Sequence, residues 1–229
     1  MNLVQGFRNQ SLEWFNDPAK YNIVDESGET EGSGAKYSIS EDGNTLTFFP
    51  PAKKDFWART FYEPLLVKND ASGLLCTVSS DLEATVKVDF EFTPISQFDQ
   101  AGILIYLDND TWVKAGIEYC DEGPKMSTVV CNGGYSDWST QPWSGNAARL
   151  RIHKVLQSSS LVVEAAAPAS EKYQFIRIAH LAPTSSSDSE VVWRVGPFAA
   201  CPTKQVGCSA VFSSFSVGPR EASVHGSVL

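Results

Sequence analysis

The segment DQAGILIYLDNDTWVKAGIEYC, Asp99–Cys120, constrains the fold more than any other stretch of the chain. Two runs of alternating apolar and polar residues flank Asp108-Asn109-Asp110, which is turn chemistry. A period of two is the mark of a half-buried strand, so the segment reads as an antiparallel hairpin. The first strand carries Ala101, Ile103, Ile105 and Leu107 on one face, and the second carries Val113, Ala115, Ile117 and Tyr119. Both sets need a core, and a slip of one residue would turn one of them outward. A three-residue loop closing Leu107 onto Thr111 keeps the parity. On the opposite face it pairs Tyr106 with Trp112, Leu104 with Lys114, Gly102 with Gly116 and Gln100 with Glu118.

That second face is unusual for a surface exposed to water. Aromatic residues stand at one end and Gln100 and Glu118 at the other, with a pair of glycines between them. Strand glycines often mark a place where a ligand comes close to the backbone. The expectation is a ligand groove floored by Gly102 and Gly116. The alternative is that another part of the chain packs over them.

The rest of the 229 residues follows the same pattern. Strands are expected at Thr45–Phe49, Leu74–Val78, Glu83–Phe92, Ala101–Leu107, Thr111–Cys120, Met126–Asn132, Ala148–Lys154, Leu161–Ala166, Phe175–Ala179 and Ser209–Val217. Val86, Val88, Phe90 and Phe92 share a face, with Lys87, Asp89 and Glu91 on the other. Helix is hinted at only in Leu12–Asn16 and in Ala165–Ala169, where Pro168 spoils it. Glu26–Gly34, Ser158–Ser160 and Leu181–Glu190 read as loops. No stretch reads as a linker, so residues 1–229 are expected to form a single all-β domain, a sandwich or barrel.

Composition narrows the function classes. The net charge of −9 repels phosphate backbones, so nucleic acid is not expected as a partner. Neither a secretory leader nor an apolar run of membrane-spanning length is apparent, so a membrane partner is not expected either. Cys76, Cys120, Cys131, Cys201 and Cys208 are odd in number and widely spaced, which points to free thiols in a reducing, cytoplasmic setting. His153, His180 and His225 are isolated and no zinc spacing occurs, so no metal or cofactor is expected. Asp108-Asn109-Asp110 has oxygen ligands of the kind calcium takes but reads better as a turn.

DQAG (Asp99–Gly102), WVKAGIEY (Trp112–Tyr119), SDWS (Ser136–Ser139), FW (Phe56–Trp57), GPFAACP (Gly196–Pro202) and FSSFSV (Phe212–Val217) together resemble the domain-of-unknown-function 1349 family. Its named fungal member is a regulation-of-enolase protein. The resemblance spans most of the chain and implies a concanavalin A-like jelly roll of two antiparallel sheets. It also implies that the Gln100, Tyr106, Trp112, Lys114 and Glu118 face lines the concave sheet, where related sandwiches bind sugars. As a partner, the resemblance implies enolase.

Glu118 is the best candidate acid or base, because burial would raise its pKa and Lys114 would lower it. Asp137 of SDWS could be a second carboxylate, as glycoside hydrolysis requires. Trp112 and Trp138, with Trp57 behind them, are expected as platforms for a sugar ring, whereas Trp193 in VVWRV is expected to pack in the core. The function expected first is non-catalytic binding of a carbohydrate or polyhydroxylated metabolite, in a regulatory role. Gln100, Gly102, Tyr106, Trp112, Lys114, Gly116, Glu118, Asp137, Trp138 and Trp57 would form the site. The alternatives are a glycoside hydrolase or lyase using Glu118 and Asp137, and a protein-interaction module.

Overall fold

A computed structural model describes residues 4–21, 23–24, 30–31, 36–156, 159–181, 192–203 and 208–224. Most of Glu26–Gly34 and Leu181–Glu190, together with Ser158 and His225, falls outside these residues, whereas Ser160, expected in a loop, opens a strand. The described residues form nineteen strands. They are β1 (Val4–Gln5), β2 (Glu13–Phe15), β3 (Ile23–Val24), β4 (Thr30–Glu31), β5 (Tyr37–Ile39), β6 (Leu46–Phe48), β7 (Phe56–Ala58), β8 (Val67–Asn69), β9 (Ser72–Val78) and β10 (Ala84–Thr93). There follow β11 (Gln100–Asp108), β12 (Thr111–Cys120), β13 (Gly123–Asn132), β14 (Tyr135–Pro142), β15 (Ala147–Val155), β16 (Ser160–Ala166), β17 (Gln174–His180), β18 (Trp193–Ala200) and β19 (Ser209–Gly218).

Two large sheets carry the fold. One runs β17-β16-β15-β10-β19-β6-β5 with β1 added on β19, and the other runs β14-β13-β12-β11-β18-β9-β2. Every pairing within them is antiparallel. They stack because the alternating apolar residues of each sheet face the same core. Val86, Val88, Phe90, Phe92, Leu150 and Ile152 of the first sheet share a buried cluster with Ala101, Ile103, Ile105, Val113, Ala115 and Ile117 of the second. Each large apolar side chain sealed there contributes about 1.5–3 kcal/mol. Trp193 lies in the same core.

All ten expected strands are present. The hairpin register is the expected one, from Gln100 opposite Glu118 to Tyr106 opposite Trp112. Its closure differs. Asp108 pairs with Thr111, so the loop is Asn109-Asp110, and a bulge between Tyr106 and Asp108 absorbs the extra residue. The Asp108 carboxylate accepts the Asp110 N–H at 2.9 Å, as turn residues do. Both helical expectations fail. Glu13–Phe15 pairs with β9, and Trp14 stacks on Tyr37 and Phe48 at 4.6 and 5.1 Å, so edge pairing and aromatic packing override local propensity. The alanine run stays in β16 to Ala166 and then turns.

The outer face of the second sheet has its own apolar cluster. The β7–β8 hairpin lies over it, and Phe56, Trp57 and Ala58 join Leu104, Tyr106, Trp112, Val129, Cys131 and Phe198 there. A hydrogen bond from the Ala58 N–H to Ser136 Oγ, 2.9 Å, ties β7 to the edge strand β14. All five cysteines are buried, and burial raises Cys131 to about 12. No described helix is long and apolar enough to cross a membrane.

Candidate functional site

The β7–β8 hairpin covers only part of the outer face. Where it stops, a cleft of about 210 Å3 opens, lined by Asp55, Trp57, Tyr62, Leu66, Phe98, Lys114, Glu118, Trp138, Pro202 and Thr203. β12 supplies Lys114 and Glu118 from its outward positions, and β14 supplies Trp138 across Val129. Phe98 is held at the rim with φ of +70°. The buried carboxylate of Asp99 fixes that turn by accepting the Ile95 and Ser96 N–H groups, both at 2.8 Å. Thr203 is tied to the same turn through the Gln97 carbonyl at 3.0 Å.

The floor is a line of buried polar groups. The Asp55 Oδ1 atom accepts from Lys114 Nζ at 2.7 Å, from the Phe56 N–H at 2.7 Å and from Gln100 Nε2 at 3.2 Å. Glu118 Oε2 accepts from Ser127 Oγ at 2.6 Å and from Trp138 Nε1 at 3.1 Å. Burial pushes the Glu118 carboxyl above its ordinary range, and Asp55 adds to this. Lys114, Ser127 and Trp138 pull the other way without cancelling it. Burial also raises the Tyr62 phenol, helped by Asp55 and Glu118. Among the described residues, Asp55 Oδ2 and Glu118 Oε1 accept no hydrogen bond. The described residues thus orient each carboxylate through one oxygen.

The structure brings together four of the residues expected at a site: Trp57, Lys114, Glu118 and Trp138. Gln100 and Gly116 line an adjoining hollow of about 10 Å3, roughly the space of one water. The other four lie elsewhere. Trp112 is fully buried, packing on Phe56 with ring centroids 5.6 Å apart. Tyr106 is covered by Phe15 at 4.6 Å, and its hydroxyl donates to Asn109 Oδ1 at 2.7 Å. Neither ring can serve as a ligand platform, because the chain's own aromatics occupy that end of the face.

Gly102 does not floor an open groove. A Cβ there would lie 2.0 Å from the Ala115 carbonyl oxygen, and one at Gly116 would lie 2.0 Å from that of Ala101. Close approach of the paired backbones requires both glycines, and Phe198 stands opposite Gly102 on β18. Asp137 alternates away from Trp138, is 73% exposed, and pairs with Arg177 of the other sheet at 3.0 Å. It cannot partner Glu118.

Asp55, Tyr62, Leu66, Phe98, Pro202 and Thr203 were not expected. Asp55 immediately precedes the FW pair and Phe98 precedes DQAG, so adjacency to those motifs was the available signal. Nothing in local sequence shows that Asp55 lies against Lys114.

Comparison with known proteins agrees with this architecture. Regulation of enolase protein 1 of Saccharomyces cerevisiae is 31% identical over 180 residues, covering 79% of this chain and 84% of its own. A crystal structure of a functionally unknown protein from Saccharomyces cerevisiae superposes with a TM-score of 0.73 at 27% identity, over 93% of this chain and 98% of that one. The fold alone is shared with a basic winged bean lectin, at TM-score 0.55 and 10% identity over 94% of this chain and 97% of the lectin. It is also shared with part of the GH43 BlXynB protein from Bacillus licheniformis, at TM-score 0.62 and 16% identity over 80% of this chain and 34% of that chain. Residues 33–220 match the family described as "Protein of unknown function (DUF1349)", and the chain, an antiparallel jelly-roll sandwich, belongs to that family.

Proposed function

We propose that the protein binds a small polyhydroxylated ligand, a saccharide or sugar-like metabolite, in the Trp57–Trp138 cleft. In this reading it acts without catalysis, as a regulatory protein in carbohydrate metabolism. The observation that carries the reading is that Asp55 and Glu118 both line the cleft while the described residues bond each through one oxygen, leaving Asp55 Oδ2 and Glu118 Oε1 without a described partner. They flank Lys114 on a floor beneath aromatic walls. Ligand hydroxyls can donate to those oxygens and accept from the Lys114 ammonium, which carries three N–H donors. Trp138, 37% exposed, offers a ring to the apolar face of a sugar. The cleft is smaller than the roughly 300–1,000 Å3 of drug-sized sites, so it suits a single sugar ring. The regulatory part of the reading, with enolase as the partner to test, draws on the name of the yeast relative.

The test is calorimetric titration of a saccharide panel into the wild type, Trp138→Ala and Glu118→Gln, with enolase activity assayed with and without the protein. Saturable binding that Trp138→Ala removes, with no turnover, supports the reading. The raised Glu118 carboxyl favours one second reading, a hydrolase with Glu118 as general acid. Its carboxylate partner would be Asp55 rather than Asp137. Turnover of any glycoside that is lost in Glu118→Gln while binding persists would establish it.

A further inference from the structure

The wall of the cleft does not end at its mouth. Trp138 meets Phe98 at 6.2 Å on one side and Trp57 at 6.4 Å on the other, with interplanar angles of 77° and 86°. Trp57 meets Tyr62 at 5.5 Å and 76°, and Tyr62 meets Phe61 at 5.4 Å and 80°. Five rings therefore form one continuous edge-to-face chain, a favourable arrangement for aromatic pairs. Four of them line the cleft, whereas Phe61 lies beyond it and is 88% exposed.

Phe61 is also held in place. Its φ is +73° and that of Arg59 is +53°, a region costly for bulky residues. The conformation is pinned by Trp57 Nε1 donating to the Thr60 carbonyl at 2.9 Å and by Arg59 Nη1 donating to the Gly134 carbonyl at 3.1 Å. A ring that is solvent-exposed, backbone-strained and continuous with the wall of a polar-floored cleft is pre-organised to stack on a ligand that continues out of the cleft.

We infer that Phe61 is a second subsite and that the ligand class is an oligosaccharide, with one sugar in the cleft and the next on the Phe61 ring. The inference rests on the saccharide reading of the cleft and extends it from a monosaccharide to a chain. Leu65, 69% exposed on the same hairpin, widens the apolar surface beside the ring. Exposed apolar clusters also serve protein partners. The oligosaccharide is favoured because the Phe61 ring joins a wall whose floor presents hydroxyl-binding groups.

The experiment measures affinity for monosaccharides and for matched oligosaccharide series of glucose, xylose and mannose, from monomer to tetramer. It uses the wild type, Phe61→Ala, Phe61→Tyr and Trp138→Ala. The expected result is tetramer binding weakened about fivefold to tenfold in Phe61→Ala, restored in Phe61→Tyr, with monomer binding unchanged. Equal tetramer affinity in the wild type and Phe61→Ala, with Trp138→Ala still deficient, would overturn the subsite and leave the cleft reading standing. Absence of binding to every saccharide would overturn both. A far-ultraviolet circular dichroism spectrum and melting curve for each variant separate loss of binding from loss of fold.

Discussion

Two of the buried carboxylates, Glu164 and Glu118, lie one on the outer face of each sheet, and their surroundings act on them in opposite ways. Glu164, on the first sheet, accepts from Arg151 Nε at 2.7 Å, from the Val224 N–H, and lies 3.2 Å from His153 Nε2. His153 is held on its other side by Thr85 Oγ1 at 2.9 Å, and the Glu221 N–H reaches the same hydroxyl. Both Glu164 oxygens are engaged, and the C-terminal segment closes over them. Burial pushes this carboxyl up, but the bonds from His153, Val224 and Arg151 outweigh it and hold Glu164 below its ordinary range. Glu118 has one engaged oxygen, a raised pKa and a cleft in front of it. A completed buried network rigidifies a fold, whereas an incomplete one is costly unless a ligand completes it. On this difference we propose a structural role for the first cluster and a ligand-binding role for the second.

The comparison can be broken by substitution. Glu164→Gln removes one partner of a buried ion pair and should cost about 3 kcal/mol, lowering the melting temperature by roughly 10 °C while leaving saccharide affinity unchanged. Calorimetry of unfolding and of binding checks both halves. Lys114→Met strips Asp55 of its cation and should cost about 2 kcal/mol, since Gln100 and the Phe56 N–H still hold that carboxylate. Unlike Glu164→Gln, it should also abolish ligand binding.

The two regions should respond to pH with opposite signs. Glu118 has a raised folded pKa, so its contribution is complete below its unfolded value near 4.5 and is lost as pH rises through the folded value. Glu118→Gln should therefore gain stability relative to the wild type between acid and neutral pH. Burial lowers His153, and Glu164 is also lowered, so stability on that side is lost as pH falls below about 6.5. Melting curves of the wild type, Glu118→Gln and Glu164→Gln across pH 4–8 would show the crossing. The smallest effect is expected from Asp137→Ala. Its exposed pair with Arg177 should change stability by about 0.5 kcal/mol or less, with binding unaffected.

The hairpin was readable from sequence because parity is a strong constraint. Once Ile103, Ile105, Val113, Ala115 and Ile117 must face one core, only registers two residues apart remain, and the one with Gln100 opposite Glu118, expected from a short loop, is the one the structure has. The same parity put Glu118 and Lys114 on the outward face, whereas Trp138 was singled out by its polar SDWS motif. What sequence could not show is which part of that face stays open. Phe56 and Phe15 come from distant segments to cover Trp112 and Tyr106, and Asp55 bonds Lys114 across 59 positions of chain. Long-range packing of this kind leaves no local periodicity. Gly102 and Gly116 looked like a ligand floor because absence of a side chain has two readings. The 2.0 Å approach of the neighbouring carbonyl oxygens selects backbone packing.

The central claim is that the open oxygens of Asp55 and Glu118, under Trp138, receive ligand hydroxyls. The most direct measurement is isotope-resolved NMR of the six tryptophan indole N–H groups during saccharide titration. The account predicts that a binding saccharide shifts the Trp57 and Trp138 signals, leaves Trp14 and Trp193 in place, and shifts nothing in Glu118→Gln at the same concentration. Shifts spread over all six indoles, or saccharide-induced shifts unchanged in Glu118→Gln, would contradict it.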